Sequence, residues 1–304
     1  MTDLSMGRRG RSYYEASARY RIAHLVDADC FEEILGPTER FISPHLEALG
    51  QPCAFDDGIV IGRGRLNGLS VLIASQEGGF MGGAVGEVHG AKLTGLLELA
   101  VSEKPAAVLL LLESGGVRLH EANAGLLAIS EIIRSLLATR ASGIPVIGLI
   151  GGTFGCFGGM GIVARCCNSL IINEEGRLGL SGPEVIETTM GVEEFDASDR
   201  ALVWRTFGGK HRFLLGEVQR LVDDDIAEYR RAVIETLALP VQAISLDGLE
   251  REQQLLRQRL SAYGHCQDSA EIWRDIGFDD PLRLPLLDVQ SFLQAAGALA
   301  GEES

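Results

Sequence analysis

The feature that most constrains this chain is an alternation: short runs apolar throughout end in glycine pairs, and each glycine pair opens a helical pattern. Ala106–Leu112 reads AAVLLLL and breaks at Ser114-Gly115-Gly116; Val146–Ile150 reads VIGLI and breaks at Thr153–Gly161, TFGCFGGMG. A run that is apolar on both faces suits a strand whose sheet is covered by helices on each side. The unit of strand, glycine turn and helix recurs at roughly 35 to 40 residues, which predicts α/β architecture with consecutive right-handed crossovers.

The flanking segments extend the pattern. Gly58–Ser75 holds two β-rich runs around Asn67-Gly68, a strong hairpin signal. Gly78–Gly86, GGFMGGAVG, leads into a helical pattern from about Glu87 to Glu103. A helix is expected from the first turn through about Arg140, stopped by Gly143-Ile144-Pro145. Cys167–Glu174 reads as another strand, and Arg177–Gly182 as a fourth strand-like piece running into Pro183, a good first helical residue. Tyr13 to about Leu35 reads as one or two short helices, with Asp27 and Asp29 offering a cap between them. From about Asp223 the chain is mostly helical. The expected division is a loose tail over 1–12, a main domain over 13–240 and a helical extension over 241–304.

Composition narrows the function classes. A net charge of −15 over 304 residues argues against nucleic acid and against an anionic membrane as partners of the whole molecule. The longest apolar runs are far too short to cross a bilayer. No apolar stretch follows the basic residues near the start, so a secretory signal is not expected and a cytoplasmic location is. The six cysteines form no C-x-x-C pair, and Cys166-Cys167 falls in an apolar run as core. The histidines, His89, His120 and His211 among them, lack metal-ligand spacing, so no metal site is expected.

Chemistry points to the glycine turns. A glycine pair between strand and helix allows a sharp turn and bares the first N–H groups of the helix, which have no intrahelical acceptor. Such donors suit an anion or a carbonyl gaining negative charge. Two turns, at Gly115-Gly116 and Gly158-Gly159, could converge on one oxygen as an oxyanion hole. The plainer alternative is that these glycines merely close tight loops. No P-loop and no G-x-S-x-G is present, and no acidic residue completes a dinucleotide fingerprint after Gly78–Gly86. Ser114 is a weak nucleophile candidate. Glu113 and Glu121 bracket the first turn, where a carboxylate could transfer a proton or simply cap a helix.

Three segments carry a resemblance. Glu113–Ala122, ESGGVRLHEA, resembles the D-S-G-G-A-R-x-Q-E segment of the biotin-dependent carboxyltransferase β family. Gly151–Ala164, GGTFGCFGGMGIVA, resembles its second glycine segment, and Gly82–Ala100 its G-G-S-x-G-E-x-x-x-K helix start. They fall in the family's order and cover roughly residues 55 to 190. Further stretches resemble the β subunits of biotin-independent malonate decarboxylases: Tyr14–Arg21, Glu77–Lys92, Phe154–Cys167, Glu174–Glu187 and Gly191–Arg212. The four-cysteine zinc ribbon of acetyl-CoA carboxylase β subunits is missing.

The resemblance implies a crotonase-like ββα spiral paired with a homologous γ subunit, the active site lying between them. It implies decarboxylation of a malonyl group in thioester linkage to an acyl-carrier-protein subunit. That carrier presents a dephospho-CoA-like prosthetic arm loaded by a transferase subunit, and neither biotin nor metal takes part. The family's oxyanion donors fall on Gly116 and Val117 in the first turn and on Gly158 and Gly159 in the second. Gly82, Gly83, Gly86, Lys92, Gly115 and Arg118 are candidates for the thioester arm and its phosphates, and His120 and Glu121 for the enolate's proton. A basic rim for the carrier would use Arg165, Lys210, His211 and Arg212. The competing readings are a carboxyltransferase subunit of a biotin-dependent acyl-CoA carboxylase and a non-catalytic carrier-binding scaffold.

Overall fold

The computed structural model describes residues 11–302, with side chains described through 298. Seven strands form one sheet in chain order: β1 (Glu32–Ile34), β2 (Ile59–Leu66), β3 (Leu69–Gln76), β4 (Ala107–Leu112), β5 (Val146–Ile150), β6 (Ser169–Asn173) and β7 (Arg220–Val222). β1, β2 and β3 pair antiparallel, and β3 through β7 pair parallel. The expected hairpin is β2–β3, its turn set by Asn67 (φ 51°) and Gly68 (φ 78°), the two positive φ values that a tight primed turn needs.

The all-apolar strands do what their composition demands. In β4, Val108, Leu110 and Leu112 enter one core cluster, whereas Ala107, Leu109 and Leu111 enter another on the opposite face. The first face is covered by α3 (Glu87–Glu103) and α4 (Asn123–Ala141), the second by α1 (Ala18–Leu25) and α9 (Ile226–Leu237). Of the remaining helices, α2 spans Pro44–Ala48, α5 Gly158–Arg165, α6 Pro183–Met190, α7 Arg200–Phe207 and α8 Gly209–Leu214. The last three are α10 (Leu246–Tyr263), α11 (Ser269–Asp275) and α12 (Val289–Glu302).

Three local expectations change. Residues 13–35 hold one helix, α1, and then the edge strand β1, which pairs with β2 through Glu33 and Gly62. Arg177–Gly182 is no strand but makes two isolated bridges, Leu178 parallel with Cys156 and Arg177 antiparallel with Gly208. Of the expected tail, residues 1–10 lie outside the described residues. Arg11 and Ser12 are held: the Ile226 N–H donates to the Arg11 carbonyl and the Ser12 hydroxyl donates to Asp224 at 2.5 Å.

The loops beyond the strand ends form a second, smaller layer. Val85 bridges Val117, Ser114 bridges Cys156, and Cys156 bridges Leu178, all parallel. Each glycine turn is thereby stitched to the next, and this layer positions the site.

Candidate active site at two paired glycine turns

The turn after β4 and the turn after β5 meet. A Cβ built on Gly158 would stand 3.0 Å from the Gly116 Cα, and Gly116 (φ 133°) and Gly158 (φ 59°) both hold backbone conformations suited to glycine. The stitching decides which donors face outward. Gly115 N–H donates to the Gly82 carbonyl at 2.9 Å, Gly116 N–H to Ser114 Oγ at 3.1 Å, and Gly158 N–H to the Leu180 carbonyl at 2.8 Å. Val117 N–H and Gly159 N–H have no acceptor among the described residues. Gly159 is the second residue of α5, so its donor carries the positive end of that helix. Of the four donors expected from the sequence, Gly116 and Gly158 are thus engaged within the fold and Val117 and Gly159 are free, all three of Val117, Gly158 and Gly159 being part-exposed.

Beneath the turns lies a polar scaffold built on Glu113, one of the two carboxylates expected to bracket the first turn, with partners that the sequence did not pair with it. Glu113 is buried and pairs with buried Arg21 of α1 at 2.5 Å. Its other oxygen accepts from Thr153 Oγ1 at 3.0 Å and from the Phe154 N–H at 3.2 Å, so one carboxylate starts the first turn and clamps the second. The Glu113 N–H donates to Gln76 Oε1 at 3.0 Å, and Gln76 Nε2 donates to His89 Nε2 at 3.1 Å. His89 Nδ1 then donates to the Asp57 carbonyl at 3.2 Å. Burial, reinforced by the Arg118 charge, holds the His89 imidazole well below its ordinary range, so it is a neutral strut. Arg21 lies 92 residues from Glu113 and Asp57 lies 61 from Arg118, distances over which no local sequence signal pairs them.

Several expected site residues are corrected by their partners. Arg118 is fully buried; its guanidinium grips both oxygens of Asp57 at 2.9 and 2.8 Å and the Asp57 carbonyl at 2.7 Å. Lys92 points inward and donates to the carbonyls of Asp56 (2.9 Å) and Ile59 (2.6 Å). Neither cation reaches solvent to meet a phosphate. Glu121 is buried, 3.4 Å from Arg118, and accepts from Ser43 Oγ and from the Glu87 N–H at 3.2 Å, so it is not a free proton donor. That contact, with Asp57 accepting the His89 N–H at 2.8 Å, also fills the N-terminus of α3 with the protein's own carboxylates.

The glycines there answer to packing. A Cβ on Gly83 would overlap the Glu113 carbonyl oxygen and one on Gly86 would overlap Glu121, while Gly82 lies beside the Phe154 ring. Lys92 and Arg118 are therefore not placed to meet the arm's phosphates, and the Gly83 N–H is engaged by the Phe80 carbonyl at 3.0 Å. Ser114 is buried and its hydroxyl is bonded within the turn to Gly116, which removes it as a nucleophile. His120 is exposed, three residues past Val117.

Of the expected basic rim, Lys210 and His211 turn inward and Arg212 is part-buried, whereas Arg165 stays exposed. Lys210 donates to the carbonyls of Pro285 and Leu287 and pairs with Glu174 at 2.7 Å. His211 accepts from Trp273 Nε1 at 3.1 Å, and burial pushes its pKa down to about 3. Arg212 pairs with Glu217 at 3.0 Å, and Arg165 with Glu252 at 3.3 Å. Cys156 and Cys167 are core thiols, burial raising Cys156 far above its ordinary range and Cys167 to about 12, whereas Cys166, expected with them in the core, is only part-buried. Beside the two turns, large apolar side chains stand in solvent, among them Leu119, Leu127, Ile162 and Leu180.

The carboxyl transferase domain family matches residues 11–206. A malonyl-S-ACP:biotin-protein carboxyltransferase of Malonomonas rubra is 42% identical over 95% of this chain and 96% of its own length. An acetyl-coenzyme A carboxylase carboxyl transferase β subunit of Fusobacterium nucleatum is 32% identical over 59% of this chain and 60% of its own. Among solved structures, a chain of the Pseudomonas malonate decarboxylase hetero-tetramer in complex with malonate superposes with a TM-score of 0.81 at 40% identity. It covers 89% of this chain and 99% of its own. A chain of a Pseudomonas malonate decarboxylase hetero-dimer gives 0.66 at 38% identity, covering 82% and 96%. Transcarboxylase 12S, at 22% identity and a TM-score of 0.63 over 78% of this chain and 43% of its own, shares the crotonase-type α/β fold.

Proposed function

Since this chain belongs to the carboxyl transferase domain family, we propose that it is the β-type subunit of a malonate decarboxylase, a carbon–carbon lyase of the cytoplasm acting on a malonyl thioester. The substrate is the malonyl group on the prosthetic arm of an acyl-carrier-protein subunit, charged by a transferase subunit. The bond between the carboxylate carbon and the methylene carbon breaks, CO₂ leaves, and the electron pair becomes an enolate whose charge rests largely on the thioester oxygen. Protonation of the enolate carbon then gives the acetyl thioester.

The observation that carries this reading is the pair of free N–H donors, Val117 and Gly159, on two turns in contact. Preformed donors bind an enolate oxygen more strongly than the neutral carbonyl it develops from, and only that difference lowers the barrier. Both sit on backbone locked by the Glu113 clamp and the Asp57–Arg118 pair, so little reorganisation accompanies charge development. With Glu121 engaged, exposed His120 or water delivers the proton. The arm's phosphates are held by groups other than Lys92 and Arg118. The apolar surface beside the turns fits a homologous γ subunit completing the site, in line with the hetero-oligomeric Pseudomonas structures.

A second reading has its own support, because the Malonomonas relative is named for transfer to a biotin protein. Both readings share the carbon–carbon cleavage and part only at the fate of the carboxyl group. The test is CO₂ release from malonyl-carrier protein by the complete complex, with and without avidin. Release unaffected by avidin supports the lyase; loss of release with avidin, and label passing to a biotin protein, replaces it with the transferase. Full turnover by this chain alone would remove the shared site.

A further inference from the structure

Helix α10 is 18 residues long, yet none of its described residues is buried. A helix of that length without a covered face is marginal in water, since helices in proteins draw most of their stability from packing. It is tied down on one flank alone: Glu252 accepts from Arg165 at 3.3 Å, and Arg259 donates to the Leu215 carbonyl and stands 4.0 Å from Glu217. Its sequence is not polar all round. Leu246, Leu249, Leu256 and Leu260 are all exposed, at 50 to 73% of their surface, and with Gln253 and Tyr263 they follow the 3-4-3-4-3 spacing of a heptad seam. In that frame Leu246, Gln253 and Leu260 take the a positions, and Leu249, Leu256 and Tyr263 the d positions.

We propose that this seam is an interaction surface for the α10 helix of a second copy of the chain, packed antiparallel. The seam is its own complement. Reversing the helix about the midpoint between Gln254 and Leu255 sets Leu246 opposite Tyr263, Leu249 opposite Leu260 and Gln253 opposite Leu256, so every a position meets a d position. The flanking charges obey the same two-fold operation. On the flank away from the body, Glu250 and Arg257 are both e positions, and antiparallel packing places each beside the other's partner copy, giving two reciprocal ion pairs. Parallel packing would instead set Arg257 beside the Glu252 of the other copy, a carboxylate already engaged by Arg165 of its own chain. Gln253 near the centre is a polar a residue of the kind that fixes register. The surface is separate from the paired turns, and the proposal stands whether or not the proposed reaction is correct.

The test is sedimentation velocity on the full chain, alone and bound to its partner subunit, across a concentration series. Both preparations are expected to pair through α10. Glu250→Arg and Arg257→Glu, each replacing attraction by repulsion in both reciprocal contacts, should weaken pairing about tenfold or more. The double variant Glu250→Arg/Arg257→Glu restores opposite charges and should return to within about threefold of the parent. All these positions are exposed, and helix content by circular dichroism confirms that each variant folds. A chain monomeric throughout the series overturns the proposal. So does pairing indifferent to the single changes, or a double variant as weak as the singles, the result expected if α10 docks on a different protein.

Discussion

The sharpest perturbation is Val117→Pro, because it deletes one donor and little else. Val117 N–H has no acceptor among the described residues; the bridge to Val85 uses the Gly116 carbonyl and the Arg118 N–H, so proline removes none of the hydrogen bonds seen there. Gly116, the preceding residue, has no side chain to clash with the ring. Altered packing of a part-buried side chain against Gly125 costs about 1 kcal/mol of stability. The expected effect on catalysis is much larger. Losing one of two oxyanion donors typically costs about 2.7–4 kcal/mol in the transition state, or roughly 100- to 1000-fold in kcat. KM should stay within a few-fold, because the ground-state carbonyl uses the donor weakly. The assay is steady-state CO₂ release from malonyl-carrier protein by the complete complex, with Val117→Ala as a control that keeps the N–H. A folded Val117→Pro complex with kcat within threefold of the parent would refute the donor role. A Val117→Ala complex as slow as the proline variant would assign the loss to packing instead.

Two further outcomes are expected. Asp57→Ala should destabilise the chain by about 3–5 kcal/mol in denaturant titration, since it strands the buried Arg118 charge; Asp57→Asn, which keeps an acceptor and tolerates the φ of 55°, should cost less. A loss below about 1 kcal/mol for the alanine change would mean that the pair does not anchor the turn. His89 and His211 are held neutral by burial, with folded pKa values well below 6.5 and about 3. The unfolded chain therefore binds more protons below pH 6.5, and stability falls as pH drops through that value. Two such groups give a loss of roughly 2–3 kcal/mol between pH 8 and pH 5.5. Urea midpoints across that range check it, and a flat profile in which His211→Gln also changes nothing would show that burial does not hold these rings neutral.

The framework is legible in the local residue pattern. Short continuous apolar runs bounded by glycine turns suit strands covered on both faces, and in β4 odd and even positions enter separate cores. Glycine pairs after those runs placed the sharp turns, and Asn67-Gly68 placed the hairpin, because local backbone conformation is a local property. The edge strands β1 and β7, three residues each, were too short to show a period. The site was legible as two turns but not as individual donors. Which N–H groups bond inward depends on contacts that the pattern does not show: Gly116 donates to Ser114 Oγ and Gly158 to a carbonyl 22 residues away at Leu180, while Val117 and Gly159 find no acceptor among the described residues. The same cause removed Lys92, Arg118 and Glu121 from the expected ligand set. A charged residue next to a glycine turn reads the same in sequence whether it faces solvent or a buried partner, and the partners here, Asp56, Asp57 and Ser43, come from segments 36, 61 and 78 residues distant. Burial then settles the chemistry, since an ion pair out of water holds the backbone in place instead of meeting substrate.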